Sequence, residues 1–298
     1  MNPAHFTLIA ERLPGLEYHD GASPQWWSRG ECLLLEPGQD ASLSAALYAD
    51  RQAPGWSVEA LFSGTPAQAL ARIGPHLIAL LPDSPSLTAI VQRLTGEPLG
   101  IVIRPRDGVD WSALVEHLRD QLWAKGVDGQ PAITRWFDPR GLRALLSALT
   151  PVQREVLAGP VESFIWHGGQ GWYQWSPPAP AFSTDSQAPA LRFDAEFVEQ
   201  LSRERLWDSA MTLASHYASC LPADPHVALH RVFAGLVAAR ECGYSTAREQ
   251  ERWLRLVLSD GGDFWRQPEA ELLLRRDDLG LAQKLSELES LYLKGTTP

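Results

Sequence analysis

The sequence predicts an α/β N-terminal lobe, a small mixed sheet with flanking helices, followed by an all-helical C-terminal lobe. Three observations carry that expectation. Short apolar runs alternate with amphipathic helical stretches over roughly the first 175 positions. A break rich in proline and serine follows. Beyond the break strand signals vanish and only helical patterns remain.

In chain order, residues 32–36, 76–81, 99–104, 132–137 and 162–167 read as strands, short and apolar or β-branched, with Pro or Gly at their bounds. Helix starts are marked by a capping side chain followed by proline. Thr65-Pro66-Ala67-Gln68 and Thr150-Pro151-Val152-Gln153 each supply a hydroxyl cap, a proline at the first helical position and a glutamine three residues on. That capping box satisfies backbone N–H groups orphaned at a helix start. Ser84-Pro85, Asp138-Pro139 and Asp224-Pro225 repeat the cap-then-proline device, and Thr246-Ala247-Arg248-Glu249 is a further box. In the helix from Asp110, residues Trp111, Leu114, Val115, Leu118 and Leu122 share one face, with Arg119 at its border and His117 pointing away. Gly168-Gly169-Gln170-Gly171 reads as the turn of a hairpin between 163–167 and 172–175. Residues 1–176 then form an α/β domain, 177–190 a Pro/Ser-rich linker, and 191–298 a helical lobe with helices near 194–219, 225–241, 246–258, 268–275 and 279–293.

Composition narrows the function class. With 45% apolar residues the chain is globular rather than disordered. Its 26 basic against 36 acidic residues give a net charge of −10, so no nucleic-acid partner is expected. No apolar run approaches the roughly 18 residues of a membrane span, so no membrane association is expected. Residues 1–10 lack a basic and then apolar leader, and no signal peptide is expected. Cys32, Cys220 and Cys242 have no paired spacing and read as buried thiols of a reducing, cytoplasmic compartment.

The chain lacks a Walker A loop, a dinucleotide-binding glycine fingerprint, a Gly-x-Ser-x-Gly elbow, a Cys-x-x-Cys pair and a His-Glu-x-x-His helix. No catalytic residue, metal or cofactor is expected. His226 and His230 are four apart on a helix, but no third ligand stands near them. Trp26-Trp27 and the Trp166, Trp172, Trp175 group read either as core filling or as a carbohydrate or peptide platform. The most distinctive cluster is Arg135-Trp136-Phe137-Asp138-Pro139-Arg140. It places two arginines and an aspartate where a strand gives way to a helix, a common ligand position in α/β folds. Asp138 as helix cap and Pro139 as first helical residue explain the same cluster structurally.

Leu61-Phe62-Ser63-Gly64-Thr65, Gly74-Pro75-His76-Leu77, His117-Leu118-Arg119, Arg135 to Arg140, and Gly159-Pro160 occur in that order over residues 31–167. With these motifs the chain resembles the type VI secretion effector adaptor-chaperones, the Tap/TEC family. Gly243-Tyr244-Ser245-Thr246, Asp263-Phe264-Trp265 and the closing Leu-rich helix are similar to that family's helical tail. Glu36 departs from the aspartate expected after the first strand. The resemblance implies a bacterial cytosolic protein that is not an enzyme, binds a toxin effector and delivers it to its cognate VgrG spike. Leu61, Phe62, Gly64, Thr65, Gly74, Pro75, His117, Leu118, Pro139, Gly159 and Pro160 are then expected to maintain the lobe. Arg119, Arg135, Asp138 and Arg140 are the candidates for touching a partner. The alternative is a small α/β enzyme acting on an anionic ligand at Arg135, Asp138 and Arg140. The Leu281, Leu285, Leu288, Tyr292 stripe reads either as core or as a groove for a partner helix.

Overall fold

In the computed structural model the strands are β1 (Leu16–His19), β2 (Cys32–Leu35), β3 (Val58–Ala60), β4 (His76–Ala79), β5 (Gly100–Pro105), β6 (Trp123–Lys125), β7 (Pro131–Ile133), β8 (Val161–His167), β9 (Trp172–Trp175) and β10 (Leu191–Arg192). The structure describes residues 11–22, 30–40, 42, 43, 45, 56–79, 85–169, 171–178, 191–260 and 262–293. Trp26-Trp27, the Ser84 cap and most of the expected linker lie outside them. The described residues fall into two compact units, one ending at Glu204 and the other starting at Arg205.

In the first unit, seven strands form one sheet in the order β1-β9-β8-β5-β2-β4-β3, every neighbouring pair antiparallel. The mixed pairing is in a smaller sheet, β10-β6-β7, where β10 runs parallel to β6. All four residues of β2 are buried, which fits its unbroken apolar run: the sheet is covered on both faces. Leu33, Leu35, Ile78, Val102 and Ile165 face one side and pack with Ile90 and Leu94 of helix α1 (Pro85–Leu94). Leu34, Leu77, Ile101 and Phe164 face the other side and are fully buried.

Helices α2 (Trp111–Asp120), α3 (Pro139–Ala148) and α4 (Pro151–Ala158) start where the caps foretold. Asp110 and Asp138 each accept a backbone N–H, and at Thr150 both bonds of the capping box are made. Thr150→Ala should therefore cost about 1 kcal/mol of stability in denaturant unfolding. The box expected at Thr65 does not open an α-helix. Its hydroxyl accepts from Ala67 N, while the Gln68 side chain reaches back to Gly64 N instead of to the cap itself. Both capping groups are used in consecutive turns and a short 3-10 stretch, Gln68–Leu70, before the chain enters β4. Residues 132–137 also differ from expectation: the strand ends at Ile133, and Trp136 and Phe137 bury their rings from a turn.

Helix α5 (Ala195–His216) contains the division between the units. The second unit holds α6 (Pro225–Glu241), α7 (Ala247–Asp260), α8 (Pro268–Leu274) and α9 (Leu281–Tyr292), all close to their expected bounds. Its core centres on Trp253, whose ring lies 5.3 Å from Tyr244 and 4.8 Å from Phe264. Leu285 and Leu288 of the α9 stripe are fully buried core, whereas Leu281, beside Gly243, is 41% exposed and Tyr292 is half-buried. Of the cysteines, Cys32 is buried, its thiol raised to about 12 by burial and by neighbouring Glu31. Cys220 is exposed and Cys242 half-buried, against the expectation that all three are buried.

Candidate functional site

The motif residues build a frame from two ring-on-glycine contacts. Phe62 lies over Gly74 so closely that a Cβ there would meet its ring at 2.2 Å. His117 lies over Gly159 in the same way, at 2.1 Å, and its Nε2–H donates to the Leu157 carbonyl at 3.1 Å. His117 thus does point away from the α2 apolar stripe, but into a second packed surface at the end of α4. Burial pushes its pKa below the ordinary imidazole value, so it packs as a neutral ring. Leu61 and Leu118 are fully buried. The Pro75 carbonyl accepts Leu61 N–H at 2.9 Å, and the Pro160 carbonyl accepts Arg106 N–H at 2.9 Å. Gly64, at φ +73°, makes the turn that Thr65 ties to the Phe62 carbonyl.

A run of rings joins this frame to the sheet. Phe62 meets Phe137 edge-on at 6.4 Å, Phe137 meets Trp136 at 6.1 Å, Trp136 meets Phe164 at 6.0 Å, and Phe164 stacks on Trp175 at 6.0 Å. Trp172 and Trp175 are 1% and 0% exposed, which removes them as a binding platform.

The Arg135-to-Arg140 motif alternates between that aromatic interior and the surface. Trp136, Phe137 and Pro139 are buried, whereas Arg135 and Arg140 are about half exposed. Asp138 between them accepts from Arg140 N at 3.0 Å, Arg140 Nε at 2.8 Å, Arg140 Nη2 at 2.8 Å and Arg135 Nη2 at 3.5 Å. Arg135 also donates to Glu36 at 2.8 Å and sits 5.2 Å above the Phe137 ring. Two cations therefore meet two anions contributed by this chain. Burial pushes the Asp138 carboxyl up, but the Arg140 side chain and N–H, with Arg135 further off, outweigh it and hold the pKa below the ordinary 3.8. A carboxylate held ionised in this way is a poor acid or base near neutrality. It serves as cap and anchor.

The depressed pKa has a sign consequence. The stabilisation is complete above the ordinary carboxyl range and is lost as pH falls through it. An asparagine side chain at this position still caps the helix, so Asp138→Asn isolates the ionic part. The stability gap between wild type and D138N should be open at pH 7 and narrow below about pH 4 in thermal melts.

The fourth candidate, Arg119, bonds at a different place. Its Nη2 donates to Glu59 Oε2 at 2.9 Å and, at 3.5 Å, to the Ala60 carbonyl on the sheet's edge strand β3. It lines an open cleft of about 590 Å³ with Gly64, Thr65, Trp111, Glu116 and Trp123. Asp138 is not in that cleft, so the aspartate, arginine and histidine pocket that would mark the enzyme alternative is not what forms there. His226 and His230 are both exposed, and the His230 ring lies 5.5 Å from Trp207. Among the described residues no three His, Cys, Asp or Glu side chains are grouped to hold a metal.

Sequence reasoning missed two features. Glu36, noted only as a departure from pattern, is the partner of Arg135. Buried Glu204 binds Arg143 at 3.0 Å and Arg12 at 3.0 Å, a triad drawn from positions too far apart for any local signal.

Fold and site together define a two-unit protein, a sheet-centred unit and a helical unit, in which the motif side chains form a packed frame with an ionic cluster on its surface. Residues 33–156 match the family model described as "Domain of unknown function (DUF4123)", a family known as the type VI secretion effector-associated Tap/TEC adaptor domain. The match runs from β2 into α4 and covers less than half of the chain. No curated protein and no solved structure is significantly similar to the chain.

Proposed function

We propose that the chain is a non-catalytic adaptor-chaperone that binds a type VI secretion toxin in the cytosol and loads it onto its cognate VgrG spike. The observation that carries this reading is the family of residues 33–156, which associates the chain with type VI secretion effectors and hence with protein partners. The use of the motif residues supports it. They are spent on ring-on-glycine packing, a helix cap and a neutral ionic cluster, which shape a surface rather than poise a nucleophile or a base. No helix among the described residues is long and apolar enough to cross a membrane.

Deleting the gene in the native bacterium tests the proposal. Secretion of one toxin should fall and return on complementation, while other type VI toxins are still exported. Unchanged export of every toxin in the deletion strain contradicts it.

A further inference from the structure

The cleft between β3 and α2 carries charge that its own residues do not neutralise. Arg119 is engaged by Glu59. Glu116 and Asp120 stand one helical turn apart on α2, both exposed, and neither makes a hydrogen bond or ion pair among the described residues. Like charges at that spacing repel and weaken the helix that carries them. Beside them the half-buried Trp111 and Trp123 line the same cleft. An indole face attracts a cation within about 6 Å of its centre. Two unpaired carboxylates flanked by tryptophans are suited to an ammonium or guanidinium group.

The size and the neighbouring strand indicate what bears that cation. About 590 Å³ lies within the roughly 300–1,000 Å³ of ligand clefts and exceeds the needs of a single charged head. One wall is β3, an edge strand of the seven-stranded sheet. Edge main-chain groups are the natural partners of an extended peptide. The −10 charge of the chain favours the approach of a basic segment. We propose that this cleft docks an extended, lysine- or arginine-bearing segment of a partner protein. The proposal deepens the adaptor reading and rests on it for the partner being a protein.

The test pans the full-length chain against random dodecapeptides displayed on phage. Recovered peptides should be enriched in Lys and Arg. A labelled synthetic copy of the most enriched peptide should bind E116Q/D120N about tenfold more weakly in fluorescence anisotropy, a loss of about 1.4 kcal/mol. Both positions are exposed, so the variant should keep the wild-type circular dichroism and melting temperature. Neutral or acidic peptides, or binding that the double substitution leaves unchanged, overturn the proposal. Displacement of the peptide by an equal concentration of spermidine also overturns it, since the cleft would then be a site for small polyamines. If toxin export depends on the chain but is supported equally by E116Q/D120N, the cleft proposal fails and the adaptor reading stands. If no toxin depends on the chain, the adaptor reading fails by itself.

Discussion

Glu204→Ala should destabilise the first unit by about 3–5 kcal/mol, because it strands a buried cation. Glu204 is 1% exposed and Arg143 5%. One carboxylate oxygen accepts from Arg143 Nη1 at 3.0 Å, and the Glu204 backbone carbonyl accepts from Nη2 at 2.8 Å. The other oxygen accepts from Arg12 Nε and Gln200 Nε2, each at 3.2 Å. Truncation removes the carboxylate that faces the buried Arg143 guanidinium and leaves a cavity beside it, and the cost of the less compensated buried charge dominates the loss. Replacing the pair together, as Arg143→Met with Glu204→Leu, removes the orphaned charge and should return most of the stability. Urea unfolding followed by circular dichroism measures both. A loss under about 1 kcal/mol for E204A would mean that water reaches the pair and that the triad is only a surface contact.

Gly159→Ala should cost about 2–4 kcal/mol, from two separable causes. Gly159 ends α4 with φ +50° and ψ −117°, a conformation that an L side chain rarely adopts. Its added Cβ would also meet the His117 ring at 2.1 Å, far inside contact distance. A double-mutant cycle with His117→Ala separates the two. Removing the ring should relieve the clash and leave the backbone strain. A neutral G159A would mean that the His117–Gly159 contact does not hold the end of α4 against α2.

The parts of the fold that were legible in the sequence are those encoded locally. Asp138, Thr150, Asp224 and Thr246 mark helix starts because cap and capped N–H groups lie within three residues of each other. Thr65-Pro66-Ala67-Gln68 has the same chemistry and makes turns instead, since the segment must return at Gly74 beneath Phe62 to start β4. Strands β1, β3, β6 and β10 hold two to four residues each and exist through their partners, so no periodicity announces them. Of the site, the motif at 135–140 was legible as a cluster, and Asp138 as a cap. That both arginines are answered by the chain's own Asp138 and Glu36 required knowing that the end of β2 meets the start of α3. The Arg12–Glu204–Arg143 triad spans 192 positions and was out of reach of any local pattern.

The central claim, that the chain binds a type VI secretion toxin and its spike, is tested most directly by affinity purification of the tagged full-length chain from the native bacterium, read by mass spectrometry. The account predicts recovery of a secreted toxin together with a VgrG protein. Recovery of neither, with the toxin expressed and the tagged chain folded, would contradict it.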